Sequence, residues 1–325
     1  MNKRFRILFI ASWIITFSFL LLNVIYGFAA KWLTVSLNYL YISSLICLYI
    51  TSDFLKEKTT NSEKLVVLEN YDIWGFLFII ASATGLLLYI GFKSSVILVM
   101  SVSTFFISIW IIIKYRKLIS KTLIVNALVI GTLSCIAVYK YIPSLIVVFI
   151  SMPCFFISAS LLNEKFQIIS ININKRLYNQ IIKSFFIGCF FGLPMAISNL
   201  SDVISSTPDK WLNQFWQPIL ALNAVTLEET WVRLFIITFI YAFISSKTNR
   251  RYIPIITAIL ISSIIFGFTH YPHVNIQNCF NIMVLYGLPL GVLLYKRDFE
   301  TVIGYHFIID FMGAIAAFLI NSNTH

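Results

Sequence analysis

Residues 217–245 read QPILALNAVTLEETWVRLFIITFIYAFIS, a single apolar run whose only charges are Glu228, Glu229 and Arg233. As a helix rising 1.5 Å per residue, a run of this length more than covers the roughly 30 Å hydrocarbon core of a bilayer. Charge at that depth costs about 2.5–3.5 kcal/mol per residue on insertion scales, so three charges in one span need partners or a task.

The rest of the chain is built the same way. Of its 325 residues, 59% are hydrophobic and only 11% charged, against about 25% charged in ordinary soluble domains. So little charge does not cover a water-facing surface, which excludes a soluble globular protein. The net charge of +11 raises the question of nucleic acid. The Lys and Arg residues, however, fall in short connections between apolar runs, as the positive-inside rule expects, and no nucleic-acid partner is inferred. Five cysteines, Cys47, Cys135, Cys154, Cys189 and Cys279, are scattered without CxxC spacing and read as small buried hydrophobes.

Apolar runs long enough to cross a membrane are expected at about 7–29, 33–52, 73–91, 95–113, 122–139, 143–162, 184–200, 217–245, 252–270, 276–295 and 300–320. Only helices satisfy their backbone groups internally in lipid, and a barrel would show alternating segments half as long. The expected fold is therefore all-α, a polytopic bundle of about eleven spans. Lys3, Arg4 and Arg6 precede a first run of about 22 residues, too long for a signal-peptide core, so a retained first span is expected.

The cation-rich connections Lys56–Lys64, Lys114–Lys121, Lys165–Lys183, Lys247–Arg251 and Lys296–Arg297 alternate with cation-poor ones. This places the N-terminus in the cytoplasm, in the plasma membrane of a bacterium if the Ile, Lys and Asn usage reflects an AT-rich genome. The connection near 200–216, with Asp202, Pro208, Asp209, Lys210, Trp211 and Trp216, reads as an interfacial anchor. Intramembrane ionisable residues are concentrated after residue 175. The chain accordingly divides into an accessory region of about six spans, 1–175, and a core of about five, 176–325.

Within that core Glu229 and Arg233 are four apart with Glu N-terminal, the favourable order for a helical ion pair. Glu228 points about 100° away, so Arg233 cannot serve both equally. One carboxylate is neutralised and its neighbour is left for general-base work. The same trio also reads as a charge-balanced packing device. His270 ends the run Phe266-Gly267-Phe268-Thr269-His270, with Phe266 one turn below on the same face. His306 and Asp310 are four apart, so the carboxylate can orient the imidazole. His273 and His325 lie outside the apolar runs and read as incidental.

Together these residues resemble the CPBP family of intramembrane proteases, which includes the CAAX prenyl endopeptidases and the bacterial Abi-type proteins. The family pattern of Glu-Glu-x-x-x-Arg, Phe-x-x-x-His and His-x-x-x-Asn/Asp is met here, in order, by Glu228-Glu229-x-x-x-Arg233, Phe266-x-x-x-His270 and His306-x-x-x-Asp310. The resemblance covers about residues 180–320 and implies an endopeptidase acting on a peptide or protein at the bilayer. It implies that Glu228 activates a water, that His270 positions it or moves a proton, and that His306 and Asp310 stabilise the oxyanion. Glu229 and Arg233 would be the supporting pair, with Phe266 beside them. Position 310 is Asp where eukaryotic members have Asn, so the carboxyl must be protonated or paired with the distal nitrogen of His306.

The resemblance implies no cofactor, although Glu228, His270 and His306 could in principle hold zinc. Two other readings compete. One is a non-catalytic protein of the same fold acting in bacteriocin or peptide immunity, or in envelope regulation. The other is a proton-coupled transporter with a carboxylate relay, against which the confinement of polar groups to a few spans counts.

Overall fold

The computed structural model describes residues 95–136, 142–175, 177–205, 218, 220–248, 252–270 and 276–322, with scattered positions between 10 and 42. These residues are helical with short connections, and no strand occurs among them. In chain order the helices are α1 (Ser95–Tyr115), α2 (Lys121–Ile136), α3 (Ile142–Phe166), α4 (Tyr178–Ser205), α5 (Leu220–Glu228), α6 (Ile236–Ser245), α7 (Tyr252–His270), α8 (Ile276–Ile282), α9 (Leu288–Lys296) and α10 (Phe299–Ser322). Two π-helical turns, Glu229–Phe235 and Met283–Gly287, join α5 to α6 and α8 to α9.

Five helices among the described residues are long and apolar enough to cross a membrane: Leu145–Phe166, Tyr178–Leu200, Tyr252–His270, Ile276–Lys296 and Phe299–Ile320. The expected runs at 7–29, 33–52 and 73–91, and most of the 200–216 connection, lie outside the described residues. The expected boundaries of α7 match the structure. By contrast, α4 begins six residues before its expected span and continues past it to Ser205, because polar residues at a helix end are tolerated where the chain leaves hydrocarbon. The runs 217–245 and 276–295 are continuous but not regular α-helices, since each contains a π-turn.

Contacts group the chain into two compact units that interleave in sequence. The first comprises Met1–Glu63, Asn179–Val225 and Glu300–His325, and the second Lys64–Tyr178 and Thr226–Phe299.

In the first unit α4 and α10 approach backbone to backbone. A Cβ on Gly188 or Gly304 would fall 2.0 Å from the carbonyl oxygen of Thr301 or Phe185, respectively, and one on Gly192 would fall 2.5 Å from that of Tyr305. Gly188 and Gly192 form a GxxxG pair, the arrangement that lets helices close in lipid where water supplies no hydrophobic drive. Tyr41 and Ser198 add hydrogen bonds, Tyr41 Oη donating to Phe191 O at 2.8 Å and Ser198 Oγ to Asn38 Oδ1 at 3.1 Å.

In the second unit α7 has three faces. Ile253, Ile256, Leu260 and Ile264 are exposed, as a lipid-facing stripe requires. Ile259, Ser263 and Gly267 meet α8, the second π-turn and α9, where added Cβ atoms on Gly291, Gly287 and Gly267 would contact Ile259, Ser263 and Cys279 O at 2.8, 2.9 and 2.5 Å. The third stripe, Ser262, Phe266 and His270, lies against the Glu229–Phe235 turn. The connections around Ser120, Lys175 and Arg297 border one cavity, so three cation-rich connections lie at one end of this unit.

Candidate functional site

The π-turn is where the charged trio sits. π-turns are rare and often occur at functional sites, and the 217–245 run carries one where its three charges fall. Its seven residues Glu229–Phe235 are all buried. It is wedged by aromatic packing: Trp231 Nε1 donates to Thr104 Oγ1 at 3.0 Å, and Phe155 stacks on Trp231 and contacts Phe235. Both Thr104 and Phe155 belong to helices N-terminal to residue 176, so those helices directly support the turn.

Glu229 and Arg233 are fully buried, with Arg233 Nε 3.8 Å from Glu229 Oε2. The guanidinium also donates from Nη1 to Ser262 Oγ and Ser262 O, at 3.2 and 3.3 Å, and lies 4.0 Å from the centre of the Phe266 ring. Ser262 Oγ in turn donates to Val232 O at 2.7 Å. Ser262 thus ties α7 to the π-turn through both a side chain and a carbonyl. Sequence reasoning passed over it. The available signal was its place four residues before Phe266 and eight before His270, on the stripe already assigned to the site.

Glu228 is differently placed. Its carboxylate and the His270 imidazole are each about a third exposed, and Glu228 Oε2 lies 3.5 Å from His270 Nε2. His270 Nδ1 lies 2.9 Å from Phe266 O. A carbonyl only accepts, so this contact puts the proton on Nδ1 and turns Nε2 toward Glu228. Phe266 further fixes the imidazole by ring contact at 4.2 Å between centroids. The two glutamates therefore face different partners, one a buried guanidinium and the other an accessible histidine.

In the first unit His306 is buried, and its Nε2 lies 3.6 Å from Asp310 Oδ2, within ion-pair reach but beyond a hydrogen bond. The carboxylate is the more open of the two. The Nε2 atom is the one that faces Asp310. Gly304 lies two residues earlier, so the close α4–α10 packing sets the position of this pair. Among the described residues no three His, Cys, Asp or Glu side chains gather as a metal-ligand set.

The second unit thus carries a part-exposed carboxylate–histidine pair beside a buried carboxylate–guanidinium pair. Residues 210–312 match the family model described as type II CAAX prenyl endopeptidase Rce1-like, a segment that includes every site residue named above. Over that segment the chain is similar to CAAX protease-like proteins, and five described helices are long and apolar enough to cross a membrane. No curated protein and no solved structure matched the chain.

Proposed function

We propose that the chain is a glutamate-dependent intramembrane endopeptidase. The observation that carries this reading is the approach of Glu228 to His270 beside the separately neutralised Glu229–Arg233 pair. At 3.5 Å the carboxylate and the imidazole are within ion-pair reach, and Glu228 in its ionised form is the base. Glu228 takes a proton from a water whose oxygen attacks the peptide carbonyl carbon. The tetrahedral intermediate then collapses, the C–N bond breaks, and the dyad returns the proton to the leaving amine. By the family resemblance, His306 and Asp310 would stabilise the oxyanion.

The substrate is a peptide or protein segment at or in the bilayer, reached in the plasma membrane of a bacterium with the N-terminus cytoplasmic. The alternative of zinc chemistry predicts activity sensitive to a strong chelator.

Glu228→Gln tests the proposal. It keeps the side-chain volume and removes the base. Membrane insertion and thermal stability should be unchanged, and cleavage of a precursor that accumulates in the membrane proteome should stop. Full cleavage by the variant would sink the mechanism. A non-catalytic immunity or regulatory role would instead leave the cellular phenotype intact in Glu228→Gln and His270→Ala cells.

A further inference from the structure

The second unit holds a cavity of about 680 Å³ at the end opposite the Glu228–His270 pair. Gly267 meets α8 at Cys279, whereas Arg297 borders the cavity eighteen residues further on, about 27 Å along a helix axis. The cavity is a separate place in the molecule, and the proposed hydrolysis does not use it.

Its wall is rigidly wired. Asn163 Oδ1 accepts from the N–H groups of Ile168 and Ile169 at 3.0 and 2.7 Å, and its Nδ2 donates to Ile169 O at 2.6 Å. Asn174 donates to Ser160 Oγ and accepts from Asn126 Nδ2, and Phe299 N–H donates to Ser170 O. Gln167, which lines the cavity, has φ 49°, a left-handed conformation that glycine would adopt with less strain.

The charges facing the cavity are Lys175, Arg297 and Glu164, with the Tyr295 hydroxyl beside them. Among the described residues, neither Lys175 nor Arg297 makes a side-chain hydrogen bond or ion pair. Leu123 also lines the cavity, and the adjoining Ile124, Val125 and Leu128 of α2 are exposed apolar residues. Aromatic residues mark the same level, with Lys114 over the Trp110 ring and Lys165 bonded to Tyr115 Oη, as at a membrane interface.

We propose that this cavity binds the head group of an anionic phospholipid whose phosphate lies against Lys175 and Arg297. Head-group hydroxyls would donate to Glu164, and the acyl chains would run along the exposed face of α2. Basic pockets between spans recognise lipid phosphates in this way.

The experiment uses the full chain in detergent, loaded with mixed phosphatidylglycerol and phosphatidylcholine and examined by native mass spectrometry. Phosphatidylglycerol should be retained about tenfold over phosphatidylcholine. The Lys175→Gln/Arg297→Gln double variant should lose that preference, while Lys117→Gln, which removes an exposed cation outside the cavity, should keep it. Unchanged melting temperatures would establish that the variants fold. Equal retention of the two lipids, or loss of preference in Lys117→Gln alone, would overturn the proposal. Displacement of phosphatidylglycerol by millimolar inorganic phosphate would assign the cavity to a soluble anion instead.

Discussion

Phe266 stands between Arg233 and His270: its ring centre is 4.0 Å from the guanidinium carbon and 4.2 Å from the imidazole centre. One side chain therefore couples the buried ion pair to the accessible histidine. A desolvated cation–π contact is worth about 2 kcal/mol, and the same ring sets the plane in which His270 Nε2 meets Glu228.

Phe266→Leu keeps most of the volume but loses the ring face. We expect kcat to fall about tenfold or more with little change in KM, because Phe266 acts through its contacts with Arg233 and His270. Steady-state cleavage of a fluorogenic peptide in proteoliposomes measures the split. An effect on KM alone would show that Phe266 lines the substrate path instead.

Breaking the Glu229–Arg233 pair leaves one charge buried alone. Glu229→Gln should destabilise the protein by about 3–5 kcal/mol, seen as a large drop in melting temperature and yield. Replacing both, Glu229→Gln with Arg233→Met, should restore much of the stability. Activity should stay low in the double variant, because Ser262 and Phe266 lose the guanidinium that they hold in register.

The α4–α10 contact leaves no room for a methyl group. Gly304→Ala places Cβ against the Phe185 carbonyl, and Gly188→Ala places it against that of Thr301. Backbone atoms cannot swing aside as side chains do, so each change should cost about 1–3 kcal/mol or more. Thermal unfolding in detergent would register it, and activity should fall in parallel through the displaced His306.

In the proposed mechanism the carboxylate at position 310 orients His306 and takes no proton from the reaction. Asp310→Asn should therefore retain activity within a few-fold, since an amide oxygen can accept from the same imidazole nitrogen. Asp310→Ala should lose about 10–100-fold, as when the group that orients a working histidine is removed. Initial rates for the two variants decide it, and an inactive Asn variant would require the carboxylate itself.

The i, i+4 pairs were legible from spacing alone. Glu229 with Arg233, and His306 with Asp310, meet because both partners lie on one helix, and Phe266 meets His270 for the same reason. The ends of α7 were equally plain, because polar residues bracket a single apolar run. The role of Ser262 was not, since a serine in an apolar helix looks like any other until its facing carbonyl is known. Nor was the π-turn, because the apolar pattern of 217–245 is the same for a regular helix and a widened one.

Composition by itself determined that the chain is helical and lives in lipid, since so few charges admit no other solvent and lipid admits no open strands. The spacing of residues determined which charges would pair along one helix. Only the tertiary structure decided that Glu228 faces His270, forty-two residues away, and that the two glutamates have different neighbours. That division depends on where α7 packs against the widened turn, and packing is a property of two surfaces that no single run of residues contains.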